Sequence, residues 1–532
     1  MAIGGAIHGT QLVLLLLLSF VIVFGLVARK LNTPYPIVLV VAGLLLSFIP
    51  GLPRVAINPD IIFLVILPPL LYAGAWTTSW RDFSYNLVSI LMLAIGLVGF
   101  TVFAVARAAP ALIPSFDWRS GFVLGAVVAT TDAIAATAIA RRVGLPRRIV
   151  DVLEGESLVN DATGLLALEF GLAMLATGTT PSVGAGLARL AYLIVAGIAV
   201  GLAIAAMVDF LERKIDDAPI EVAISILVPY AAYLAAEAVG ASGVLAVVAC
   251  GLYLSRHSTH FFTPTVRIEA WAVWNSLTFI LNGIVFVLIG LQLPYVLGAI
   301  QGVSMRSLLI DAAVFSAMLI VVRLIWVFPG AYVAWLIRSR ILRQHAPRPS
   351  AAGTFVVGWT GMRGVIALAA ALALPSVIDG GKPFAQRHLI VFLTFSVILV
   401  TLVLQGLSLP MVIRLLGVGS RGENDEEERH ARRVLLESAI THLGHIRARE
   451  PQFSDVYDDL AQHYRQRLLT LAGEGEDEHG TSAAHVDRHR DVSHELLQVE
   501  REAAVRLRDE RRISDDVLRQ LQQELDFRES RM

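Results

Sequence analysis

The chain has 532 residues, of which 56% are hydrophobic and 16% are charged. Soluble domains carry roughly 25% charged residues, so an ordinary large soluble enzyme is excluded, and so are intrinsic disorder and a collagen-like fibre. The net charge of −1 conceals a division: residues 1–420 carry 25 Lys and Arg against 18 Asp and Glu, whereas residues 421–532 carry 18 against 26.

A helix needs ~20 mostly apolar residues to cross the hydrocarbon of a bilayer. By that measure thirteen spans follow in chain order: 11–28, 35–50, 60–77, 86–108, 119–140, 149–176, 183–211, 219–239, 243–255, 268–293, 305–337, 350–375 and 386–416. No Lys or Arg precedes the first run and no small-residue cleavage site follows it, so it reads as a retained membrane helix. The single cysteine, Cys250, permits no intrachain disulfide. One set of alternating loops holds 15 Lys and Arg, including Arg29, Lys30, Arg81, Arg147, Arg148 and Arg338, and the other holds 7, including Arg54 and Arg119. The positive-inside rule makes the first set cytoplasmic. The N-terminus is then outside and the 421–532 tail inside, in a multi-pass protein of the cell membrane, taken as a bacterial inner membrane. An odd span count permits two six-helix halves of opposite orientation joined by a linking helix. The expected fold is therefore all-α and polytopic, with two inverted repeats and a charged helical tail.

Ionisable residues inside spans are costly and are functional candidates by default. The fifth span carries Thr130-Thr131-Asp132 near its middle. Thr and Asp compete for local backbone groups, and a break here would leave amides and carbonyls facing a cavity. In the sixth span, Glu154-Gly-Glu156-Ser157-Leu-Val-Asn160-Asp161, the helical period puts Ser157 and Asp161 on one face and Glu156 and Asn160 on the adjacent one. Glu154 reads as a helix-end residue. The twelfth span holds Gly361-Met-Arg363-Gly364, whose glycines permit a break. Arg363 needs a carboxylate partner, and Glu156 is the expected one. Arg363 and Asp132 also suit the facing dipole ends of two broken helices, the cation near C-termini and the anion near N-termini. Arg323, in the eleventh span, reads as part of a structural ion pair or a headgroup contact.

Thr131-Asp132, Glu156-Ser157-Leu-Val-Asn160-Asp161 and Gly361-Met-Arg363-Gly364 resemble the signatures of monovalent cation:proton antiporters. That branch includes bacterial and archaeal sodium/proton antiporters and animal sodium/proton exchangers. Leu67-Pro-Pro-Leu-Leu-Tyr-Ala73 resembles the family's third-helix motif, with Ala73 where some relatives have an acid. The resemblance covers residues 10–417. It implies a homodimer with a dimerisation part (about 1–77 and 183–293) and a core part (about 86–176 and 305–416). Broken fifth and twelfth spans would cross at mid-membrane. It further implies that Asp161 carries cation or proton, that Thr131 and Ser157 are additional cation ligands, and that Asp132, Asn160, Glu156 and Arg363 structure the site.

Hard oxygen ligands suit Na⁺, Li⁺ or K⁺, and no cofactor is expected. Burial favours the protonated form of a carboxylic acid, so a cation must displace a proton to bind. Asn160 cannot ionise, which leaves one titrating charge and predicts one-for-one, electroneutral exchange. A K⁺/H⁺ antiporter on the same scaffold is the nearest alternative, and a cation channel is an alternative of another class, although no filter-like loop is present. An intramembrane hydrolase using Ser157 lacks a histidine at similar depth.

The tail reads as charged helices over 425–449, 453–471 and 483–529, separated by Glu450-Pro451 and the acidic run at 473–480. The apolar stripe of the last helix fits self-association or docking to the membrane part. Eight of the 13 histidines fall in the tail and read as solvated surface. Gly417-Val-Gly-Ser-Arg-Gly422 matches a dinucleotide pattern by letters alone, and no strand precedes it. Basic residues balanced by acids give no support for nucleic-acid binding.

Overall fold

The computed structural model describes residues 2–49, 58–177, 182–300, 304–344, 347–378, 382–419, 423–472, 483–510, 512 and 515–529. Arg54 and the acidic run at 473–480 lie outside them. The chain divides into one unit up to Gly419 and a second from Ser420.

The first unit is a bundle of apolar helices: α1 (Ala2–Lys30), α2 (Tyr35–Leu46), α3 (Pro59–Thr77), α4 (Trp80–Leu112), α5 (Trp118–Ala129), α6 (Ala133–Val143) and α7 (Arg147–Thr177). There follow α8 (Val183–Glu212), α9 (Ala218–Ala238), α10 (Gly243–Phe261), α11 (Pro264–Leu291) and α12 (Met305–Ile341). The unit ends with α13 (Ala351–Trp359), α14 (Val365–Leu372) and α15 (Arg387–Leu416). Among the described residues, nine helical segments are long and apolar enough to cross a membrane. The outer faces of α1, α8 and α12 are studded with apolar side chains such as Leu15, Val195, Phe210 and Ile325. Apolar surface on that scale belongs against lipid or another protein. This is an all-α polytopic membrane protein.

Two spans are interrupted. The fifth is α5 and α6, separated by extended backbone at Thr130 and Asp132. The twelfth is α13 and α14, separated at Thr360–Gly364. The breaks occur seven spans apart, the spacing that two equivalent halves require. Wide π-helical turns occur at Ile62–Ile66, Met92–Leu97 and Thr401–Gln405, in spans that pack around these breaks. Other predicted spans shift only at their edges: the second is a helix of 12 residues, and the ninth continues to Phe261.

Three apolar clusters surround the breaks. One joins α2, α6, α11, α14 and α15; another joins α4, α5, α12 and α15; a third joins α3, α8, α9 and α10. Lipid offers no hydrophobic drive between helices, so close van der Waals approach decides their packing. Gly43 of α2 faces Gly290 of α11, and a Cβ on either would overlap the other helix's backbone.

The second unit comprises α16 (Glu423–Arg449), α17 (Ser454–Ala472), α18 (Ala483–Asp509) and α19 (Asp515–Glu529). The single helix expected over 483–529 is two. The apolar stripe folds on itself: Leu497 and Ala504 of α18 and Leu518 and Leu525 of α19 are buried. Arg501 spans the hairpin to Asp526 and Glu529, 2.5 Å from each. Its hydrogen bond holds the Glu529 carboxyl below the usual carboxylate range.

Gly290→Val forces α2 and α11 apart and is expected to destabilise the protein by about 1–3 kcal/mol. A lowered melting temperature in detergent checks this, and melting like the wild type contradicts it.

Candidate functional site

The site grows from two helix ends that meet head to head. At the first break, Asp132 is the N-cap of α6, and its Oδ1 accepts from the Ile134 amide at 2.8 Å. A short polar side chain satisfying an orphan amide is what stops one half-helix and starts the next. The two breaks touch through backbone: the Asp132 amide donates to the Met362 carbonyl at 2.8 Å. Gly364 makes this approach possible, since a Cβ there would occupy the space of the Asp132 carboxylate.

Arg363 occupies the complementary position. Its Nε donates to the Val128 carbonyl near the end of α5 at 3.1 Å, and its Nη1 donates to the Gly361 carbonyl just past the end of α13. Its amide donates to Thr401 Oγ1 at 3.1 Å. The guanidinium thus serves two C-terminal ends while Asp132 serves an N-terminal one, as the dipoles require.

The expected Glu156–Arg363 pair is not formed. Glu156 is held bidentately by Arg323 of α12, with Nη1–Oε1 at 2.5 Å and Nη2–Oε2 at 2.8 Å. The reason is geometric. The broken backbone consumes the donors of Arg363, whereas Arg323 reaches Glu156 from an intact helix. Arg323 was visible in the sequence as a buried cation, but its partner depends on which helices adjoin.

Thr131 is the hub of the first break. Its hydroxyl donates to Glu156 Oε1 at 2.9 Å and accepts from Asn160 Nδ2 at 2.7 Å. Its carbonyl accepts from the Ser157 hydroxyl at 3.1 Å, and Ser157 Oγ accepts from the Ala133 amide at 3.3 Å. Thr131 and Ser157, expected as ligands, therefore also tie α7 to the unwound backbone. Asn160 Oδ1 is buried with no partner among the described residues.

Asp161 differs from all of these. It is 2% exposed, and among the described residues nothing donates a hydrogen bond to it. It lines a cavity of about 270 Å³ together with Thr131, Asp132, Ser157, Glu154 and Asn282. Glu154 is not a helix-end residue: it lies two turns before Asp161 on the same face of α7 and lines the cavity too. The cavity follows α3 from Ile62 to Thr77, runs along α6 to Thr137, and touches the start of α14 at Gly364–Ile366. Its Thr77 and Thr137 ends point toward the arginine-rich loops that follow α3 and α6. Asn282 was not foreseen, because an amide in an apolar span carries no sequence signal of what it faces.

Crossed broken helices with a buried carboxyl lining a cavity beside the crossing are the architecture of an ion-coupled secondary transporter. The chain belongs to the sodium/hydrogen exchanger family, whose transmembrane model matches residues 15–415. It is 34% identical over 523 residues to an uncharacterized Na⁺/H⁺ exchanger of Mycobacterium tuberculosis, covering 97% of this chain and 95% of that one. It is 32% identical over 455 residues to a sodium, potassium, lithium and rubidium/H⁺ antiporter of Bacillus pumilus, covering 83% and 66%. Among solved structures, the sodium proton antiporter MjNhaP1 of Methanocaldococcus jannaschii shares the fold, with a TM-score of 0.60 at 20% identity over 78% of this chain and all of that one.

Removing Arg323 strands the Glu156 carboxylate. Arg323→Ala is expected to cost about 3–5 kcal/mol, and pairing it with Glu156→Gln should recover part of that loss. Thermal unfolding of the single and double variants decides this. An Arg323→Ala protein that melts like the wild type contradicts the pairing.

Proposed function

We propose that the protein is an electroneutral Na⁺(Li⁺)/H⁺ antiporter of the cell membrane, in which Asp161 binds one cation or one proton in turn. The observation that carries this reading is the contrast at the crossing. Asp132, Glu156, Arg323 and Arg363 are each engaged by protein partners, while Asp161 faces the cavity with no donor among the described residues. A bare carboxylate dragged through hydrocarbon costs several kcal/mol. The core moves only when Asp161 is neutralised, and a proton or a single monovalent cation does so equally. Ser157 and the Thr131 carbonyl add oxygen ligands, and water in the cavity completes the shell.

The positive-inside orientation makes the cavity cytoplasmic, with the N-terminus outside and the 421–532 unit inside. The moving core comprises residues 86–176 and 305–416. Residues 1–77 and 183–293 form the fixed part through which two chains pair. The uncovered apolar face of α8, with Val195 67% and Phe210 62% exposed, supports such an interface. A detergent-corrected mass of two chains is expected, and a mass of one chain contradicts the dimer.

K⁺ transport is a second reading, because the Bacillus pumilus relative carries potassium in its name. Ala73 also removes one acidic ligand of the kind that favours a strongly hydrated ion.

Proteoliposomes with an internal pH dye test the proposal. Na⁺ or Li⁺ should drive proton flux without current. Because proton and cation compete for one carboxylate, the apparent KM for the cation should rise as pH falls, by up to about tenfold per pH unit below the apparent pKa of the site. Asp161→Asn should fold and abolish exchange. Full exchange by that variant, or a current scaling with turnover, overturns the reading.

A further inference from the structure

Asn282 stands on α11, away from the crossing, yet it lines the same cavity as Asp161 and Asp132. It is 7% exposed, and its Oδ1 has no hydrogen-bond partner among the described residues. A buried amide oxygen is normally met by a donor, an ordered water or an ion. Thr278, one turn earlier on the same face, also lines the cavity, and its hydroxyl donates to the Trp274 carbonyl at 2.7 Å. Its oxygen therefore keeps lone pairs for whatever enters. The Asn282 side chain is hydrogen-bonded to the phenol of Tyr35 of α2, which packs on Phe279 with ring centroids 5.6 Å apart, so its amide group is held while its Oδ1 stays without a partner. The wall of α11 thus offers neutral oxygens to the cavity that Asp161 and Asp132 also line. The wall of α3 is apolar around Ala73 and carries a hydroxyl only at its end, on Thr77.

We propose that Asn282 is a cation-specificity residue of the cytoplasm-facing state, its amide oxygen meeting the monovalent cation that Asp161 holds. Hard cations accept amide oxygens alongside carboxylates. This inference rests on the antiporter reading above and on α11 belonging to the fixed part. A ligand on the fixed part touches the ion in one state only, because the core carries Asp161 away from it. Asn282 therefore sets cation affinity at the cytoplasmic face and leaves the opposite face untouched. Removing a neutral ligand costs a strongly hydrated ion most, so Li⁺ and Na⁺ lose more than K⁺.

The test uses the full chain in membrane vesicles of both orientations, from cells lacking other exchangers. In inverted vesicles, Asn282→Ala should raise the apparent KM for Na⁺ about tenfold, the equivalent of ~1.4 kcal/mol, with the maximal rate little changed. In right-side-out vesicles the KM should equal that of the wild type. Asn282→Asp, which keeps an oxygen in place, should bind Na⁺ at least as well as the wild type from the cytoplasmic face. An unchanged KM for Asn282→Ala, or an equal shift at both faces, overturns the proposal. If Asn282→Ala melts below the wild type, Asn282→Ser is read in its place against the same two outcomes. Absence of cation-driven proton flux in the wild type, or its persistence in Asp161→Asn, refutes the antiporter reading, and this inference falls with it.

Discussion

Charge at the middle of a membrane must be matched where it stands, because neither solvent nor salt reaches it. That constraint orders the whole centre of this protein. Two interrupted spans bring helix ends into hydrocarbon, and each end would be an unmet dipole. Asp132 meets an N-terminal end, and Arg363 meets two C-terminal ones. The backbone contact from Asp132 to Met362 then fixes the two breaks to each other. Glu156 and Arg323 cancel one another beside them and bind Thr131 into the same network. With these groups accounted for, Asp161 is the carboxyl of the crossing to which no described residue donates, and it lines the cavity.

The division of labour along α7 follows from helical geometry. Glu156 and Asn160 point toward neighbouring helices and hold structure. Ser157 and Asp161, on the adjacent face, point toward the break and the cavity. A shift of one residue in this register would take at least one of the two carboxyls off its face. This explains how four polar residues within six positions serve opposite ends: one carboxylate is locked and the other is left available.

Much of this was legible in the chain. Hydropathy gives the spans, and Thr131-Asp132 and Gly361 to Gly364 announce the breaks, because those residues are poor helix formers that satisfy or expose backbone. The faces of α7 follow from spacing alone. What the sequence did not contain was adjacency. Arg323 and Arg363 are both cations in apolar spans, and only packing decides which one meets Glu156. Glu154 looked peripheral, and Asn282 drew no reading at all, for the same reason: a residue's place along its own helix says nothing of the cavity that another helix leaves beside it. In the tail, the apolar stripe of α18 and α19 was visible, but the turn that folds it on itself was not.

If one carboxylate is shared by proton and metal ion, cation binding must expel a proton, and counting protons tests that most directly. Purified protein in weakly buffered detergent solution, near the pH where the site is half protonated, should release protons when Na⁺ is added. The account predicts saturable release approaching one proton per chain as the starting pH is lowered, and none from Asp161→Asn. Sodium binding without proton release, or release that persists when Asp161 is replaced, would contradict it.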